Sequence, residues 1–232
     1  MDIVLLYIGS YMLGSVPTAY IIGRLVRGVD IRGYGSGNVG SANLYEHVGK
    51  RWVYPVAAVE IFVKGALPIL VALYVLDIDR SSAYIIGPGL LVLAGNNWSV
   101  FLKLQGGRGI AVTGGTLLAL TPILAGVCAV LSIGGWKLAK SSGIWVLISL
   151  ISLPVWAYLL HSVLLNDGLN LVWYSLGLLG IVVLKRLSAN WTPFPGDMSR
   201  KRVLFNRLVR DRDVSDRTRW VQRIPEGSSR IQ

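Results

Sequence analysis

The chain has 232 residues, of which 53% are apolar and 15% are charged. Soluble domains carry about 25% charged residues and disordered chains are poor in apolar ones, so the composition excludes both classes. The net charge is +11, and the basic residues are concentrated after residue 191 or spaced between long apolar runs. This distribution indicates a membrane protein rather than a nucleic-acid-binding one. Cys128 is the only cysteine, which excludes a disulfide framework.

Six apolar runs dominate the sequence, and most reach the length of about 20 residues that a membrane-spanning helix needs. The first run lacks the basic start of a cleavable signal peptide, so we expect it to remain as a helix. The sequence has no internal repeat, which predicts one all-α membrane domain over residues 1–191 and a basic cytoplasmic tail over 192–232. The runs cover residues 3–22, 52–76, 83–102, 109–136, 143–165 and 169–184.

The basic residues also predict orientation, because cytoplasmic loops carry an excess of Lys and Arg. The loop after the first run is basic, so we place it in the cytoplasm and the N-terminus outside. A single helix over 109–136 would then leave the tail outside. Thr121-Pro122 resolves this conflict, since proline ends a helix at the preceding residue. We therefore predict seven transmembrane helices, including a short one over 109–120 packed within the protein and another over 122–139, with the C-terminus in the cytoplasm.

The first cytoplasmic loop, residues 30–43, is unusually polar and glycine-rich for a connection between apolar helices. Glycine lets the backbone approach a ligand closely, and consecutive amides in such a loop can bind an anion. An arginine in the loop adds a fixed charge suited to phosphate. A flexible linker is the alternative interpretation of this loop by itself. The candidate residues are Arg32, Gly35, Ser36, Gly37, Asn38 and Asn43.

A second glycine-rich loop is predicted on the same side of the membrane. It includes Asn96 and leads through Gly106, Gly107 and Arg108 to the short helix. Free N–H groups and the helix dipole favour anions at a helix N-terminus. An arginine there suits phosphate, although it could instead only anchor the helix at the interface. Two such loops on one face favour a phosphate-binding pocket.

Polar residues within three helices complete the candidate set. Glu60 and Lys64 have the spacing of a helical ion pair. They indicate either mutual neutralisation inside the bundle or a role of Lys64 in holding a substrate or the glycine loop. Ser149 and Ser152 share one helix face, and by themselves they are typical of membrane helices. The segment 185–190 by itself is typical of a basic helix end.

The sequence gives little support for metal or covalent catalysis. His47 and His161 are the only histidines, and no zinc-ligand spacing is present. A P-loop, a His-x-x-x-x-Asp acyltransferase box and a G-x-S-x-G elbow are also absent. We therefore expect no metal, no cofactor and no covalent Ser–His chemistry.

Several segments, taken in order, resemble the signatures of the bacterial acyl-phosphate:glycerol-3-phosphate acyltransferases. The first signature is the most specific, and its Gly-Ser-Gly-Asn core lies at residues 35–38. The second resembles a Gly-His…Lys-Gly-Gly-Lys-Gly loop, and the last resembles Arg-His-x-x-Asn. The matching segments are residues 14–20, 30–40, 60–65, 95–109, 149–152 and 186–190.

The resemblance implies a multi-pass enzyme of the bacterial cytoplasmic membrane with its active site at the cytoplasmic face. It implies transfer of a fatty acyl group from acyl-phosphate to glycerol 3-phosphate, giving lysophosphatidic acid and phosphate for phospholipid synthesis. The loops would bind the two phosphates, and the acyl chain would lie along the bundle. Ser36, Asn38 and Arg108 would act in catalysis. The residues implied in substrate binding are Arg32, Gly35, Gly37, Asn43, Lys64, Gly106, Gly107, Ser149, Ser152 and Asn190.

Several positions differ from the family pattern, and at one of them Arg108 keeps the charge of the lysine that it replaces. Glu46 stands where the pattern has a phosphate-binding arginine, and Leu187 stands where it has a histidine. Asn96 and Gln105 replace a histidine and a lysine. These replacements leave open a non-catalytic relative that binds lipid or a phosphorylated ligand, or that partners another membrane enzyme. A small transporter is a third hypothesis, which would need a polar site at the bilayer midplane.

The tail intersperses arginines with apolar residues, notably Val203, Leu204 and Phe205. This pattern predicts either a short basic amphipathic helix on the anionic inner leaflet or a disordered segment. Because the tail is tethered at the bilayer, we expect anionic lipid rather than nucleic acid as its partner.

Overall fold

The structure is a computed structural model that describes residues 1–164, 169–196, 198–216, 218 and 220. Over these residues the chain is helical and has no β-strand, which confirms the predicted all-α class. The principal helices are α1 (Asp2–Ser15), α2 (Thr18–Arg27), α3 (Ser41–His47), α4 (Lys50–Tyr74), α5 (Ile86–Asn97), α6 (Ile110–Leu120), α7 (Pro122–Ala139), α8 (Ser142–Leu164), α9 (Asn170–Ser188) and α10 (Arg200–Arg210).

Five helical stretches in the described chain are long and apolar enough to cross a membrane. Two further apolar helices, α5 and α6, have 12 and 11 residues and are shorter than a full span. The chain is thus a multi-pass membrane protein with two short helices inside the bundle. The five spans are Asp2–Arg27, Lys50–Tyr74, Pro122–Ala139, Ser142–His161 and Asn170–Trp191.

The predicted division of the fourth apolar run is confirmed. Helix α6 ends at Leu120, α7 begins at Pro122, and Thr121 between them is extended with φ −154° and ψ 95°. Proline cannot donate the backbone hydrogen bond that would continue α6. The short helix is packed within the protein as expected, since Val112, Leu117 and Thr116 are fully buried.

Two other boundaries differ from the sequence predictions. The first run is not one uniform helix, because the Val16-Pro17 step separates α1 from α2. The third run, predicted as a span over 83–102, yields only α5, which ends at Asn97. The backbone leaves helical geometry at Trp98, with φ −129° and ψ 73°, and turns into the second glycine loop. Hydropathy alone did not reveal either break.

Glycines set the closest helix contacts in the bundle. A Cβ on Gly65 of α4 would lie 2.6 Å from the Val112 carbonyl oxygen of α6, and one on Gly115 of α6 would overlap the Ile61 carbonyl. Gly14 of α1 similarly meets the backbone of Val92 in α5. Small residues at such contacts let helix backbones approach closely, which favours association in lipid. The two short helices are therefore held by the longer ones beside them.

Two groups of buried apolar residues stabilise the fold. The larger group fills the bundle and includes Leu93, Leu117, Leu150 and Leu178. The smaller group, centred on Ile31, lies beneath the first glycine loop and joins it to α2, α3 and α4. The smaller core gives the polar loop a rigid support. Its buried members are Ala19, Ile31, Val39, Leu44, Val48, Val56 and Leu102.

The connections gather at two opposite ends of the bundle. At one end both glycine loops meet the C-terminal end of α9. At the other end Arg80 donates to the Leu120 carbonyl at 2.6 Å, and Asn170 donates to the Ser81 carbonyl at 2.6 Å. Residues 165–168, which precede α9, lie outside the described residues.

The tail contributes one helix, α10, to the glycine-loop end. Val203 is fully buried, whereas Leu204 and Phe205 are 38% and 58% exposed, so the apolar residues divide between a protein face and an outer face. Arg207 and Asp213, both 3% exposed, form an ion pair at 2.6 Å that fixes the turn after α10. Of the two predicted forms of the tail, the helix is thus observed over Arg200–Arg210. The basic residues Arg217, Arg219, Arg223 and Arg230 lie outside the described residues.

Candidate active site

Asn43 holds the first glycine loop in a compact shape. Its buried side-chain amide donates to the carbonyls of Ile31, Tyr34 and Asn38 at 2.7, 3.0 and 3.1 Å. The loop curves around this one amide. A substrate-binding role was predicted for Asn43, but the structure places it as the internal support of the loop.

Gly35 and Gly37 give the loop its turn, since both have positive φ angles, of 48° and 68°. Glycine adopts this conformation without the steric cost that a side chain would add. Ser36 lies between them, and its hydroxyl accepts a hydrogen bond from the Asn38 amide at 3.3 Å. Ser36 is partly exposed and Asn38 is buried. The Gly-Ser-Gly-Asn core therefore presents a serine at the apex of a tight turn.

The second glycine loop packs directly against the first. The Gly106 carbonyl accepts from the Val39 amide at 3.3 Å, and the Gly107 amide donates to the Asn96 carbonyl at 3.0 Å. A Cβ on Gly107 would lie 2.7 Å from the Val39 carbonyl oxygen. Glycine is thus required at position 107 by the approach of two backbones, as well as by any ligand.

Asn190 links the end of α9 to both loops. Its side-chain nitrogen donates to the Gly37 carbonyl, the Asn38 side-chain oxygen and the Gly106 carbonyl at 3.1 to 3.3 Å. Its side-chain oxygen accepts from the Gly106 amide at 3.0 Å. Residues predicted from three separate segments are thereby brought together.

Lys185 is a site residue that sequence reasoning missed. Its ammonium group is buried and donates to the Asn97 carbonyl and, at 2.6 Å, to the Asn190 side-chain oxygen. It also lies over the ring of Trp98, 5.6 Å from its centroid. The basic segment 185–190 resembled an ordinary helix end because sequence gives no sign that this lysine points inward.

Glu60, Lys64 and Asn96 form a polar chain behind the second loop. Lys64 is 2% exposed and pairs with Glu60 at 2.7 Å. With its amide oriented to suit its neighbours, Asn96 donates to Glu60 at 2.9 Å and accepts from the Gly109 amide at 3.1 Å. The two charges thus pair with each other, and Asn96 connects Glu60 to the Gly109 amide of the glycine loop.

A small polar cavity of about 10 Å³ lies between the α1–α2 break and the two loops. A cavity of this volume can hold about one water molecule. The hydroxyls of Ser15 and Thr18 are buried there and make no hydrogen bond within the described residues. Lys64 and Gly106 line the same cavity.

Arg32 lies at the edge of the first loop and is engaged by its neighbours. It pairs with Asp30 at 2.6 Å and donates to the Gln105 side chain at 3.2 Å. The hydrogen bond from the Arg32 guanidinium holds the pKa of the Asp30 carboxyl below its ordinary range. Gln105, which replaces a lysine of the family pattern, thus links the two loops without adding charge.

Arg108 points away from the loop contact and toward the turn after α10. Its guanidinium lies 2.6 Å from the Asp211 carboxylate and donates to the Asp211 carbonyl at 3.3 Å. Arg186, 2% exposed, is 3.8 Å from the same carboxylate. Lys185 interacts electrostatically with both Arg108 and Asp211. Three cations thus surround one carboxylate of the tail.

Ser149 and Ser152 are engaged elsewhere. The Ser149 hydroxyl donates to the Cys128 carbonyl and sulfur at 3.2 and 2.9 Å, and the Ser152 hydroxyl donates to the Ser149 carbonyl. The Ser149 bonds join α8 to α7, the Ser152 bond lies within α8, and none of them reaches either glycine loop. These contacts are typical of serines in a membrane helix.

Within the described residues, no group of three or more His, Cys, Asp or Glu is placed to hold a metal ion. The site is instead built from backbone amides, asparagine amides and cationic side chains. Such groups stabilise anions. The chemistry that the site can support is therefore the binding of phosphate groups and the electrostatic stabilisation of negative charge.

Known proteins of one family are similar to this chain over most of its length. The family model described as "Glycerol-3-phosphate acyltransferase" matches residues 4–192. A protein named glycerol-3-phosphate acyltransferase 4 from Dehalococcoides mccartyi (strain CBDB1) is 34% identical over 92% of this chain and 90% of its own length. Glycerol-3-phosphate acyltransferase 5 from another strain of that species is 33% identical over 95% and 93% of the two chains. The chain belongs to the glycerol-3-phosphate acyltransferase family.

A solved structure supports the fold independently. The crystal structure of PlsY (YgiH), described as an integral membrane glycerol 3-phosphate acyltransferase in its glycerol 3-phosphate form, superposes with a TM-score of 0.72. The match covers 80% of this chain and 88% of that one at 24% sequence identity. The bundle therefore has the fold of that integral membrane protein.

Proposed function

We propose that the protein transfers a fatty acyl group from an acyl-phosphate to glycerol 3-phosphate, forming lysophosphatidic acid and inorganic phosphate in phospholipid synthesis. The observation that carries this proposal is the convergence of both glycine loops on Asn190, beside a group of buried cations. Family membership supports the same reaction. The non-catalytic and transporter hypotheses gain no comparable support.

The reaction suits a site without a metal or a covalent nucleophile. The hydroxyl oxygen of glycerol 3-phosphate attacks the acyl carbonyl carbon, the bond from that carbon to the phosphate oxygen breaks, and phosphate leaves with the electron pair. The hydroxyl proton passes to the released phosphate or to water. Because acyl-phosphate is already activated, positioning and charge stabilisation can supply much of the rate enhancement.

The residues divide into those that meet substrate and those that shape the loops. Ser36, Asn38 and Arg108 are proposed to face the reacting groups, and Gly35, Gly37, Gly106 and Gly107 supply backbone amides. Asn43, Asn190, Lys64 and Arg32 hold the loops through the contacts described above. Ser149 joins α8 to α7, and Ser152 bonds within α8.

We also infer the placement of the protein in the bacterial cytoplasmic membrane, with the glycine-loop end and C-terminus in the cytoplasm. The excess of basic residues at that end supports this orientation. The outer face of α10 carries exposed Arg200, Lys201 and Arg202 beside exposed Phe205. Such a face suits the anionic headgroups of the inner leaflet.

The experiment is a direct assay of the purified protein. Palmitoyl-phosphate and glycerol 3-phosphate are supplied, and both lysophosphatidic acid and phosphate are measured. Equal formation of the two products, lost in Ser36→Ala, is the expected result. Turnover no higher than that of Ser36→Ala would overturn the proposed function.

A further inference from the structure

The tail places a carboxylate on cations that a phosphate substrate would need. Asp211 directly follows α10, and its carboxylate contacts Arg108 at 2.6 Å and Arg186 at 3.8 Å. Lys185 lies within electrostatic range of the same group. Asp211 lies beyond residue 192, where the family match ends. The carboxylate therefore lies outside the residues that the family model matches.

The contact neutralises charge but leaves hydrogen-bonding capacity unused. Arg108 Nη1 lies 2.6 Å from the nearer Asp211 oxygen but is poorly aligned for a hydrogen bond, and the buried Nε of Arg108 has no hydrogen-bond partner among the described residues. Arginine suits planar, bidentate recognition of carboxylate or phosphate, and this pair lacks that geometry. A phosphate group, with more acceptor oxygens and up to two charges, would satisfy these donors better than Asp211 does.

The segment around Asp211 is anchored independently of its carboxylate. Arg186 donates to the Leu208 carbonyl at 2.7 Å, and Arg207 pairs with Asp213 at 2.6 Å. The backbone of Arg210 also packs closely on Gly143. Asp211 could therefore rotate its side chain away from Arg108 while the turn that carries it stays in place.

We propose that Asp211 is an affinity-determining residue of the acyltransferase, whose carboxylate competes with a substrate phosphate group for Arg108 and Arg186. The inference rests on the proposed function, because the competing ligand is one of its two phosphate-bearing substrates. Either the phosphate of glycerol 3-phosphate or that of the acyl donor has the required chemistry. The carboxylate raises the KM of the substrate that it opposes and leaves the chemical step unchanged.

The test replaces the carboxylate without disturbing the turn. Asp211 has a φ of 60°, a conformation that asparagine and glycine tolerate. In both Asp211→Asn and Asp211→Gly, the KM for one of the two substrates is expected to fall about three- to tenfold, with kcat little changed. Separate titrations of glycerol 3-phosphate and palmitoyl-phosphate identify which substrate it is.

The matched control is Asp77→Asn, which makes the same change at the other end of the bundle. Asp77 also has a positive φ, of 48°, and is exposed. The Asp77→Asn variant should leave the KM values for both substrates unchanged. If Asp211 instead only orders Arg108, both Asp211 variants will raise KM or lower kcat, which would overturn the inference. Unchanged values for both substrates would overturn it equally.

Binding of inorganic phosphate provides a measurement that does not depend on turnover. Phosphate is titrated into the purified protein by calorimetry, and both Asp211 variants are expected to bind it more tightly than the wild type. Equal or weaker binding would contradict the inference. Tighter binding without turnover in any form would retain the competition for phosphate while refuting the proposed function.

Discussion

The side chain of Asn190 joins parts of the chain that are more than 80 residues apart in sequence. It contacts Gly37 and Asn38 in the first loop and Gly106 in the second, and it accepts a hydrogen bond from Lys185. Its backbone is in the left-handed region, with φ 56° and ψ 29°, which asparagine tolerates better than most residues. This one amide therefore adds to the direct contacts between the two loops and ties both of them to the end of α9.

Asn190→Ala is expected to separate the two loops while leaving the bundle intact. Loss of these hydrogen bonds would leave buried partners unsatisfied and misplace Ser36 and Gly106, lowering kcat/KM by about 10- to 100-fold. Asn170→Ala is the matched control, because Asn170 lies at the opposite end of the same helix and bonds only the Ser81 carbonyl in the described hydrogen bonds. Similar kcat/KM values for the two variants would contradict the role assigned to Asn190.

Sequence reasoning located single residues well where a local pattern carried the signal. The glycine loops were predicted from their composition and Asn190 from the family resemblance, and the structure brings them together. Lys185 and Asp211 were missed because their roles depend on where α9 ends and how the tail folds back. No local sequence pattern distinguishes an aspartate that contacts Arg108, as Asp211 does, from an aspartate on a solvent-exposed tail.

The contact between α4 and α6 determines the position of the second glycine loop. Helix α6 follows that loop directly, and Gly115 fits against Ile61 and Gly65 of α4 without space for a side chain. The same part of α4 carries Glu60 and Lys64, which hold the loop through Asn96. Helix packing and loop geometry are therefore coupled.

Gly115→Ala should destabilise this contact, because the added methyl group would overlap the Ile61 carbonyl and force the helices apart. Overpacking of this kind costs about 1–3 kcal/mol, so the thermal unfolding temperature in detergent should fall. The adjacent Gly114 has open space around its Cβ position. Gly114→Ala should leave that temperature unchanged or slightly raised, since alanine favours helix. An equal loss of stability in both variants would count against this packing.

At the scale of helices, the boundary predicted from a proline agreed with the structure, whereas the helix end predicted from hydropathy alone did not. Thr121-Pro122 divided the fourth run as predicted, because the missing N–H acts locally. The end of α5 at Asn97 could not be found in this way, since the apolar run continues to Leu102. That boundary is set by tertiary contacts, including the hydrogen bond from Tyr11 to the Trp98 carbonyl at 2.7 Å.

At the scale of the whole molecule, the polar loops of the candidate active site lie together at one end of the bundle. Both glycine loops and the described tail lie at one end, whereas the α4–α5 connection and the start of α9 lie at the other. Most of the described Lys and Arg residues belong to loops and helix ends at the first end. A substrate made in the cytoplasm would reach the site only if that end faces inward.

Cysteine labelling tests this orientation. In a Cys128→Ser background, Ser81→Cys and Ser215→Cys place single thiols at exposed positions on opposite ends. A membrane-impermeant maleimide should label Ser81→Cys in intact cells and Ser215→Cys only after the membrane is opened. The reverse pattern would place the active site outside.

The most direct test of the proposed acyl transfer follows the acyl chain and the phosphate of the acyl donor separately. Acyl-phosphate labelled with ³²P in the phosphate and ¹⁴C in the acyl chain is incubated with glycerol 3-phosphate and the purified protein. The account predicts that ³²P appears in inorganic phosphate and ¹⁴C in lysophosphatidic acid, in equal amounts. Transfer of ³²P to the glycerol product, or release of ¹⁴C only as free fatty acid, would contradict it.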